Sequence, residues 1–269
     1  MLGTIIGDII GSTYEFHNPF GNDFKFFPEG SRFTDDSILA IATADALMND
    51  KNYSDYYTKY FKKYPEGKRG WGSSFARQIE TYGKLKPYNS YGNGSAMRVS
   101  PVGWYAQDMA TAISEARKSS VVSHDHIEGI KGAEAIALAV FMAKSGANKE
   151  DIIKECDYLF GYATKPLDEY RKRKFDVTCQ GTIPVCLAII KESKDFEDAM
   201  KLSIMQGGDV DTNAAIVGGI AEALYGKPPE EFQKKALSLL DKDLRNVVID
   251  FMIKYVPIYS DLEKYKGKN

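Results

Sequence analysis

The chain has 269 residues, of which 43% are hydrophobic, and its 35 basic and 37 acidic residues give a net charge of −2. This length allows a sizeable core, and the balanced charge gives no electrostatic reason to expect binding to nucleic acid or to an anionic membrane surface. The apolar stretches are too interrupted for a transmembrane helix, no signal-peptide pattern opens the chain, and three cysteines without disulfide or zinc spacing fit a reducing cytoplasm.

The N-terminal stretch MLGTIIGDIIGS carries glycine at every fourth position, at Gly3, Gly7 and Gly11. This spacing places the glycines on one face of a helix, where they permit another helix to pack closely. Asp8 lies inside the same stretch, and we interpret it as a structural acceptor of hydrogen bonds within that packing. Glu15 follows seven residues later, so a continuing helix would place both acids on one face.

Helical spacing dominates the remainder of the chain. Periodicity and cap residues predict helices over 36–48, 108–121 and 127–144, and further helices that begin after Asn148 and after Asp195. Alternating patterns are weak and indicate at most short strands near 24–27 and 176–179. The chain contains no internal repeat and no linker long enough to separate domains. We therefore predict one all-α domain over residues 1–269, with about ten or more helices.

The first motif that suggests chemistry is FTDDS, at residues 33–37. Thr34 suits a helix N-cap, and Asp35 and Asp36 would then occupy the first turn, where acids complement the helix dipole. A structural role of this kind explains one acidic pair by itself.

A second acidic pair occurs in GGDVDTNAAIVGG, where Asp209 and Asp211 are separated by one residue. In an extended segment their side chains would point the same way, and Thr212 would cap a helix that runs to about Tyr225. Two such pairs are hard to explain as caps alone. If the pairs meet in space, their carboxylates repel one another unless protons or cations intervene, and Mg²⁺ or Mn²⁺ suits carboxylate and hydroxyl oxygens.

The segment KLKPYNSYGNGSAMRVS, at residues 84–100, interrupts the helical pattern with a loop rich in glycine and asparagine. Loops of this kind in a helical protein often carry function, although an ordinary connector has a similar composition. Arg98 would either tie the loop to the body of the protein or contact phosphate. His126 fits a surface position before a helix, and Tyr88 and Tyr91 are candidates for stacking on a base.

Five segments of the chain resemble, in their order and spacing, the ADP-ribosylglycohydrolase family of the dinitrogenase reductase-activating type. These segments are GDIIGSTYE, FTDDS, YGNGSAMR, SHDH and GGDVDTNAAIVGGIAEALYG. The resemblance covers about residues 3–226. It implies an all-α fold, a compact orthogonal multi-helix domain with a binuclear metal cleft that holds two Mg²⁺ ions, or Mn²⁺ in their place. By position, the implied metal ligands are Thr34, Asp35, Asp36, Asp209, Asp211 and Thr212.

The same resemblance implies roles for residues outside the aspartate pairs. Glu15 matches an acidic residue at the metal edge, and His124 matches a histidine that lines the ADP-ribose cleft. The segment expected to wrap the diphosphate and the distal ribose comprises Ser90, Tyr91, Gly92, Asn93, Gly94 and Met97. A glycine-rich segment can offer backbone N–H groups to anionic oxygens. The expected catalytic carboxylates are Glu15, Asp36 and Asp209, any of which could act as general acid or base.

We therefore predict a magnesium-dependent hydrolase that removes ADP-ribose from a modified acceptor, which is a protein side chain, a nucleic acid or a small molecule. The expected partners are ADP-ribose and the ADP-ribosylated acceptor, without a membrane or direct nucleic-acid binding, and we expect a cytoplasmic monomer. Two alternatives remain on the same scaffold. One is a non-catalytic ADP-ribose-binding or toxin-immunity protein, which loss of acids from the metal set would favour. The other is hydrolysis of a different glycosidic or nucleotide substrate.

Overall fold

The computed structural model describes residues 1–15, 24–65, 70–170 and 175–267. These residues form fourteen α-helices: α1 (Leu2–Gly11), α2 (Asp35–Met48), α3 (Tyr53–Lys63), α4 (Ser73–Tyr82), α5 (Gly94–Met97), α6 (Ser100–Tyr105), α7 (Met109–Val121), α8 (Ile127–Lys144), α9 (Lys149–Phe160), α10 (Cys179–Glu192), α11 (Phe196–Gln206), α12 (Val210–Tyr225), α13 (Glu230–Leu239) and α14 (Lys242–Tyr255). Two 3₁₀ segments, Leu167–Glu169 and Pro257–Tyr265, complete the regular structure.

The predicted all-α class is confirmed, and the short strands that weak patterns allowed near 24–27 and 176–179 do not form. Among the described residues the backbone forms no sheet, and its only bridge pairs Gly92 with Thr178. The apolar residues of the segment 24–27 instead pack as coil, with Phe26 and Phe27 against the ring of Phe232. Apolar residues alone do not form a strand when no neighbouring segment supplies backbone partners.

Many helices begin where the sequence places a short polar side chain. Thr34 is the N-cap of α2, Asn148 of α9 and Asp195 of α11, and each side chain accepts a hydrogen bond from a backbone N–H of the first turn. The predicted start of α12 is wrong, because Asp209 rather than Thr212 is its N-cap. The helix begins earlier because two preceding glycines, residues 207 and 208, adopt positive φ values that turn the chain sharply.

The contact between α1 and α12 is the tightest helix pair that bears on the site. A Cβ added at Gly3 would lie 2.2 Å from the backbone oxygen of Gly218, and one at Gly7 would lie 1.9 Å from that of Ala214. At Gly11 the nearest atom would be the Cα of Asp211, at 2.4 Å. The glycine face predicted for α1 therefore lets two backbones touch, and it brings the end of α1 to the start of α12.

These helices share a hydrophobic core in which α1 is buried along its whole length. The N-terminal ammonium of Met1 pairs inside this core with Glu222, which also accepts a hydrogen bond from Tyr259 at 2.7 Å. Of the helices within the described ranges, none combines the length and apolar character needed to cross a bilayer. The core thus holds the end of α1 and the starts of α2 and α12 in fixed relation, and the acidic residues lie at those ends.

Candidate active site

Asp8 links α1 to the start of α2. Its buried carboxylate accepts hydrogen bonds from the backbone N–H and hydroxyl of Thr34, at 2.9 and 2.6 Å. It also accepts from the backbone N–H of Ser37 at 3.2 Å and, at close range, from the Ser37 hydroxyl. Asp8 therefore does accept structural hydrogen bonds, but from the start of α2 rather than from within the packing of α1 on α12. This arrangement fixes the orientation of the first turn of α2.

Two groups of carboxylates meet where the three helix ends converge. Oxygens of Asp8, Asp36 and Asp211 lie within 4.8 Å of one another, and so do oxygens of Glu15, Asp209 and Asp211. Asp211 belongs to both groups, so the first and second acidic motifs of the sequence lie side by side. Groups of this spacing can share a cation, since each carboxylate offers one oxygen.

Asp209 occupies the N-cap position of α12, but its side chain makes no capping hydrogen bond. One of its oxygens instead accepts from the side-chain amide of Asn93 at 2.7 Å, and the same amide nitrogen lies 3.1 Å from the hydroxyl of Thr182. A carboxylate used only as a cap would face the N–H groups of its own helix. The Asp209 side chain faces the loop around residue 93 instead.

Burial and mutual repulsion dominate the electrostatics of the aspartates. Burial raises the pKa of Asp36 well above its usual range, and the charges of Asp8, Asp35 and Asp209 raise it further. The pKa of Asp211 is raised by burial and then by Asp36 and Asp209. One oxygen of Asp36, Oδ1, is buried and has no hydrogen-bond partner among the described residues. Buried carboxylates that repel each other are expensive to hold ionised, and an unpartnered oxygen adds to that cost.

Glu15 lies just beyond α1, in a turn at the edge of this cluster. It is partly buried, and burial together with the charge of Asp209 raises its pKa to about 7, against a smaller opposing effect of Arg32. A carboxyl group with this pKa can hold or release a proton near neutral pH. The helix does not continue from Asp8 to Glu15 as the spacing suggested, because α1 ends at Gly11.

The segment at residues 90–97, a loop that leads into the short helix α5, faces the carboxylates. Its backbone is fixed by the segment before α10: Asn93 N–H donates to the carbonyl of Val177 at 2.8 Å, and Cys179 N–H donates to that of Tyr91 at 2.9 Å. Gly92 N–H donates to the hydroxyl of Ser90 at 3.2 Å. Two of the backbone donors expected to meet a ligand are therefore already used within the protein.

His124 and Arg98 lie behind this loop, and both are buried. The nearest side-chain atom to a Cβ built at Gly94 is Nε2 of His124, at 3.1 Å. Burial and then the charge of Arg98 lower the pKa of His124 well below its usual range, so its imidazole is neutral. Arg98 donates to the carbonyl of Ser119, which ties the loop to α7, and its guanidinium lies 4.3 Å from the ring centre of Tyr57.

A cavity of about 310 Å³ joins the two sets of residues. One side of it, here called the acidic side, comprises Glu15, Asp35, Asp36, Asp209 and Asp211, with Thr212 beside them. The other, here called the loop side, comprises Tyr88, Ser90, Gly92, Asn93, Gly94, Met97, Arg98 and His124.

Two predicted site residues do not line this cavity. Thr34 is buried beneath the acidic side, with its hydroxyl 3.2 Å from an oxygen of Asp36. The Tyr91 side chain is 48% exposed and packs against the ring of His126, which caps α8.

Sequence reasoning missed one role of Asp8 and several residues that line the cavity. Asp8 was expected to accept structural hydrogen bonds only, but its buried carboxylate also belongs to the first carboxylate group, although it does not line the cavity. Phe175 and Val177 line the cavity while remaining about half exposed, and the start of α4 contributes Ser73 and Ser74. No charge or spacing in these segments pointed to the site, because only the fold brings them there.

Comparison with known proteins then decides the family. The sequence model described as ADP-ribosylglycohydrolase matches residues 1–253 of the chain. The chain belongs to the ADP-ribosylglycohydrolase family. Membership confirms the resemblance read from the motifs, and with it the prediction of an enzyme that hydrolyses the glycosidic bond of ADP-ribosylated acceptors.

Two curated relatives illustrate the range of this ADP-ribosylglycohydrolase family. ADP-ribosylarginine hydrolase Tri1 of Pseudomonas putida is 26% identical over 275 residues, which cover 88% of this chain and 73% of that protein. Human ADP-ribosylhydrolase ARH3 is 22% identical over 327 residues, covering 91% and 90% of the two chains. A solved structure, titled ADP-ribosylglycohydrolase-related protein complex, matches with a TM-score of 0.73 at 22% identity, over 95% of this chain and 96% of that one. At that identity the structural match shows the shared fold.

Proposed function

We propose that this ADP-ribosylglycohydrolase removes ADP-ribose from a modified acceptor by hydrolysing the bond at the anomeric carbon, with magnesium bound at the acidic side of the cavity. The observation that carries the proposal is the meeting of two carboxylate groups, which share Asp211, with a neutral polar loop in one cavity. A cation site facing hydrogen-bonding groups suits a substrate that carries both ribose hydroxyls and a diphosphate.

The donor set supports a hard divalent cation. Carboxylate and hydroxyl oxygens are the ligands that Mg²⁺ and Mn²⁺ prefer. Within the described ranges, the buried oxygen Oδ1 of Asp36 has no hydrogen-bond partner. A cation would also remove the repulsion that raises the pKa values of Asp36 and Asp211. The residues proposed to hold two ions are Thr34, Asp35, Asp36, Asp209, Asp211 and Thr212. When bound, the ions supply positive charge to the ribose hydroxyls and to the attacking water.

The residues of the chain then have separate tasks. Glu15 stands at the edge of the cluster with a pKa of about 7, so it exchanges a proton with the attacking water or with the leaving atom. Asp36 and Asp209 are the other candidates for this proton transfer. Because glycoside cleavage passes through an oxocarbenium-like transition state, carboxylates near the anomeric carbon also stabilise its developing positive charge.

The loop side is proposed to hold the diphosphate and the distal ribose. Asn93 is fixed by its amide contacts with Asp209 and Thr182, so it links the carboxylates to the loop. Gly92 and Gly94 keep the surface in front of His124 open. Ser90 and Met97 complete this side. Tyr91, which is exposed and lies between Ser90 and Gly92 in the chain, is proposed to meet the adenine.

One experiment tests the reaction and identifies the acceptor. Peptides ADP-ribosylated on arginine or on serine, and ADP-ribosylated DNA, are incubated with the protein in the presence of Mg²⁺ or of a chelator, and free ADP-ribose is measured. We expect release from at least one linkage with Mg²⁺ and none with the chelator. Release that is equal in both conditions would contradict the magnesium requirement. Binding of ADP-ribose without release from any of these acceptors would favour the binding-protein alternative.

A further inference from the structure

At the loop side, three side chains form a hydrogen-bonded series whose arrangement the proposed reaction leaves unexplained. Arg98 Nη2 lies 2.9 Å from the hydroxyl of Ser123, and that hydroxyl lies 2.7 Å from Nδ1 of His124. All three residues are buried, and their exposed fractions do not exceed 4%. Arg98 is held in place by the Ser119 carbonyl, at 2.9 Å, and by the ring of Tyr57.

The direction of each hydrogen bond in this series follows from counting protons. A guanidinium group can only donate, so the Ser123 oxygen accepts from Arg98. The serine hydroxyl has one proton, and His124 Nδ1 is the only acceptor within reach of it in the described part of the chain. Ser123 therefore donates to Nδ1. If Nδ1 carried the proton instead, the serine hydroxyl would be buried without an acceptor, which costs free energy.

The imidazole must consequently carry its own proton on Nε2. Burial and the nearby charge of Arg98 both disfavour the doubly protonated ring, so the ring is neutral. Nε2 faces the loop: it lies 3.1 Å from the position of a Cβ at Gly94 and 3.6 Å from that of a Cβ at Gly92. Both glycines line the cavity together with His124, so an N–H at Nε2 is directed towards the space that a ligand would fill.

The Arg98 side chain also bears on what the ligand can be. Among the described residues no carboxylate pairs with Arg98, and its Nε and Nη1 have no hydrogen-bond partner. A buried cation without a counter-ion creates a positive potential around His124. An oxygen atom that accepts a hydrogen bond and carries negative charge fits this position, whereas a donor group does not.

We propose that Arg98 and Ser123 are positioning residues that hold His124 as the neutral tautomer protonated at Nε2, so that it presents one fixed hydrogen-bond donor to an anionic oxygen of the ligand. This deepens the proposed function, since it rests on ADP-ribose for the identity of the ligand. The tautomer itself does not depend on the ligand, so it can be tested separately.

The direct test is nitrogen NMR of the histidine rings in the ligand-free, ¹⁵N-labelled protein. The chain has three histidines, and the signals of His124 are those that disappear in His124→Gln. We expect an unprotonated Nδ1 that accepts a hydrogen bond and a protonated Nε2 at neutral pH. A ring protonated at Nδ1, or at both nitrogens, would overturn the proposal whether or not ADP-ribose binds.

Variants then test the positioning role. Ser123→Ala removes the donor to Nδ1, and we expect a mixture of tautomers and an ADP-ribose affinity lower by roughly three- to tenfold. Ser203→Ala is the matched control, because it removes a buried hydroxyl of α11 that, within the described residues, donates to the carbonyl of Ala199 and has no contact with the series. If Ser123→Ala left both the ring signals and the affinity unchanged relative to this control, Ser123 would have no positioning role.

A second pair of variants separates the two ring nitrogens. The amide nitrogen of a glutamine can reach the position of Nε2, whereas that of an asparagine reaches only that of Nδ1. We expect His124→Gln to bind ADP-ribose on the order of tenfold more tightly than His124→Asn, by calorimetry. Equal affinities would contradict a donor at Nε2. Failure of the wild-type protein to bind ADP-ribose would contradict the proposed function instead, while the NMR result would still decide the tautomer.

Discussion

The acidic side of the cavity is made of helix ends, whereas the loop side is made of a short segment held by hydrogen bonds to its neighbours. The carboxylates of the acidic side are buried next to one another, and each raises the pKa of the next. On the loop side the polar groups are neutral and largely paired, as Asn93 is with Val177, Thr182 and Asp209. Without a cation, the acidic side therefore lowers the free energy of unfolding, whereas the loop side does not.

The two sides differ in how much rigid support they need. Packing against glycines fixes α1 against α12 so closely that the acidic side cannot relax by moving its backbone. Repulsion held in place by a rigid support is the property expected of a cation site. The loop side instead needs space and fixed donors, which the glycines and the buried Arg98 provide.

The largest effect should come from the carboxylate that belongs to both groups. Asp211→Asn removes a charge from each, and we expect ADP-ribose release to fall to the level of a chelated sample, because cation charge dominates such sites. Thermal melting should show a folded protein. Asp195→Asn, an exposed N-cap replaced by an equally good one, is the control and should retain activity. An active Asp211→Asn enzyme would remove the acidic side from the mechanism.

Glu15→Gln should separate chemistry from binding on the acidic side. If Glu15 transfers a proton, turnover should fall by roughly 10²–10⁴-fold while the affinity for ADP-ribose and the melting temperature stay near those of the wild type. Glu29→Gln is the control, because it makes the same chemical change at an exposed side chain and should leave turnover unchanged. Near-normal turnover with a lower melting temperature would assign Glu15 a structural role and leave Asp36 and Asp209 as the candidates.

On the loop side, a larger side chain should weaken the binding of ADP-ribose rather than lower turnover. Gly92→Val places a side chain 3.3 Å from Ser90 Oγ and 3.6 Å from His124 Nε2, in the space proposed for the diphosphate. We expect the affinity for ADP-ribose, measured by calorimetry, to fall roughly tenfold in this variant. In Gly92→Ala the affinity should fall by less, because the added side chain is smaller. Unchanged affinity in both variants would mean that the ligand does not approach this loop.

The sequence predicted the local features of the site, because caps and glycine spacing act over a few residues. Thr34 caps α2, and the glycines of α1 do face another helix closely. The sequence could not predict that Asp209 starts α12, since this depends on two glycines with positive φ. It also could not place the segment 175–178 beside the loop, because that pairing joins residues more than eighty positions apart.

The smallest expected effect concerns the pH dependence of stability in the chelated protein. Carboxyl groups whose pKa is raised in the folded state bind protons more tightly there than in the unfolded chain. The free energy of unfolding should therefore decrease as pH rises from about 4. The contribution of Glu15 is lost between its ordinary pKa of 4.5 and its folded-state pKa of about 7, and the decrease levels off above that pH.

Denaturant titrations at about pH 5 and pH 8 measure this effect, and Mg²⁺ should raise the free energy of unfolding more at the higher pH. Exposed acids elsewhere, such as Asp243 beside Lys63, act in the opposite direction. The difference between the wild type and Asp211→Asn isolates the contribution of the cluster. A wild-type profile parallel to that of Asp211→Asn would show that the carboxylates do not repel one another in the folded protein.

Anomalous X-ray diffraction from crystals grown with Mn²⁺ and ADP-ribose tests the proposed site most directly. We expect manganese peaks at the acidic side, within about 2.2 Å of oxygens of Asp36, Asp209 and Asp211, with the ribose against them and the diphosphate along the loop side. Bound ADP-ribose without a manganese peak among these carboxylates, or manganese bound elsewhere on the chain, would contradict it.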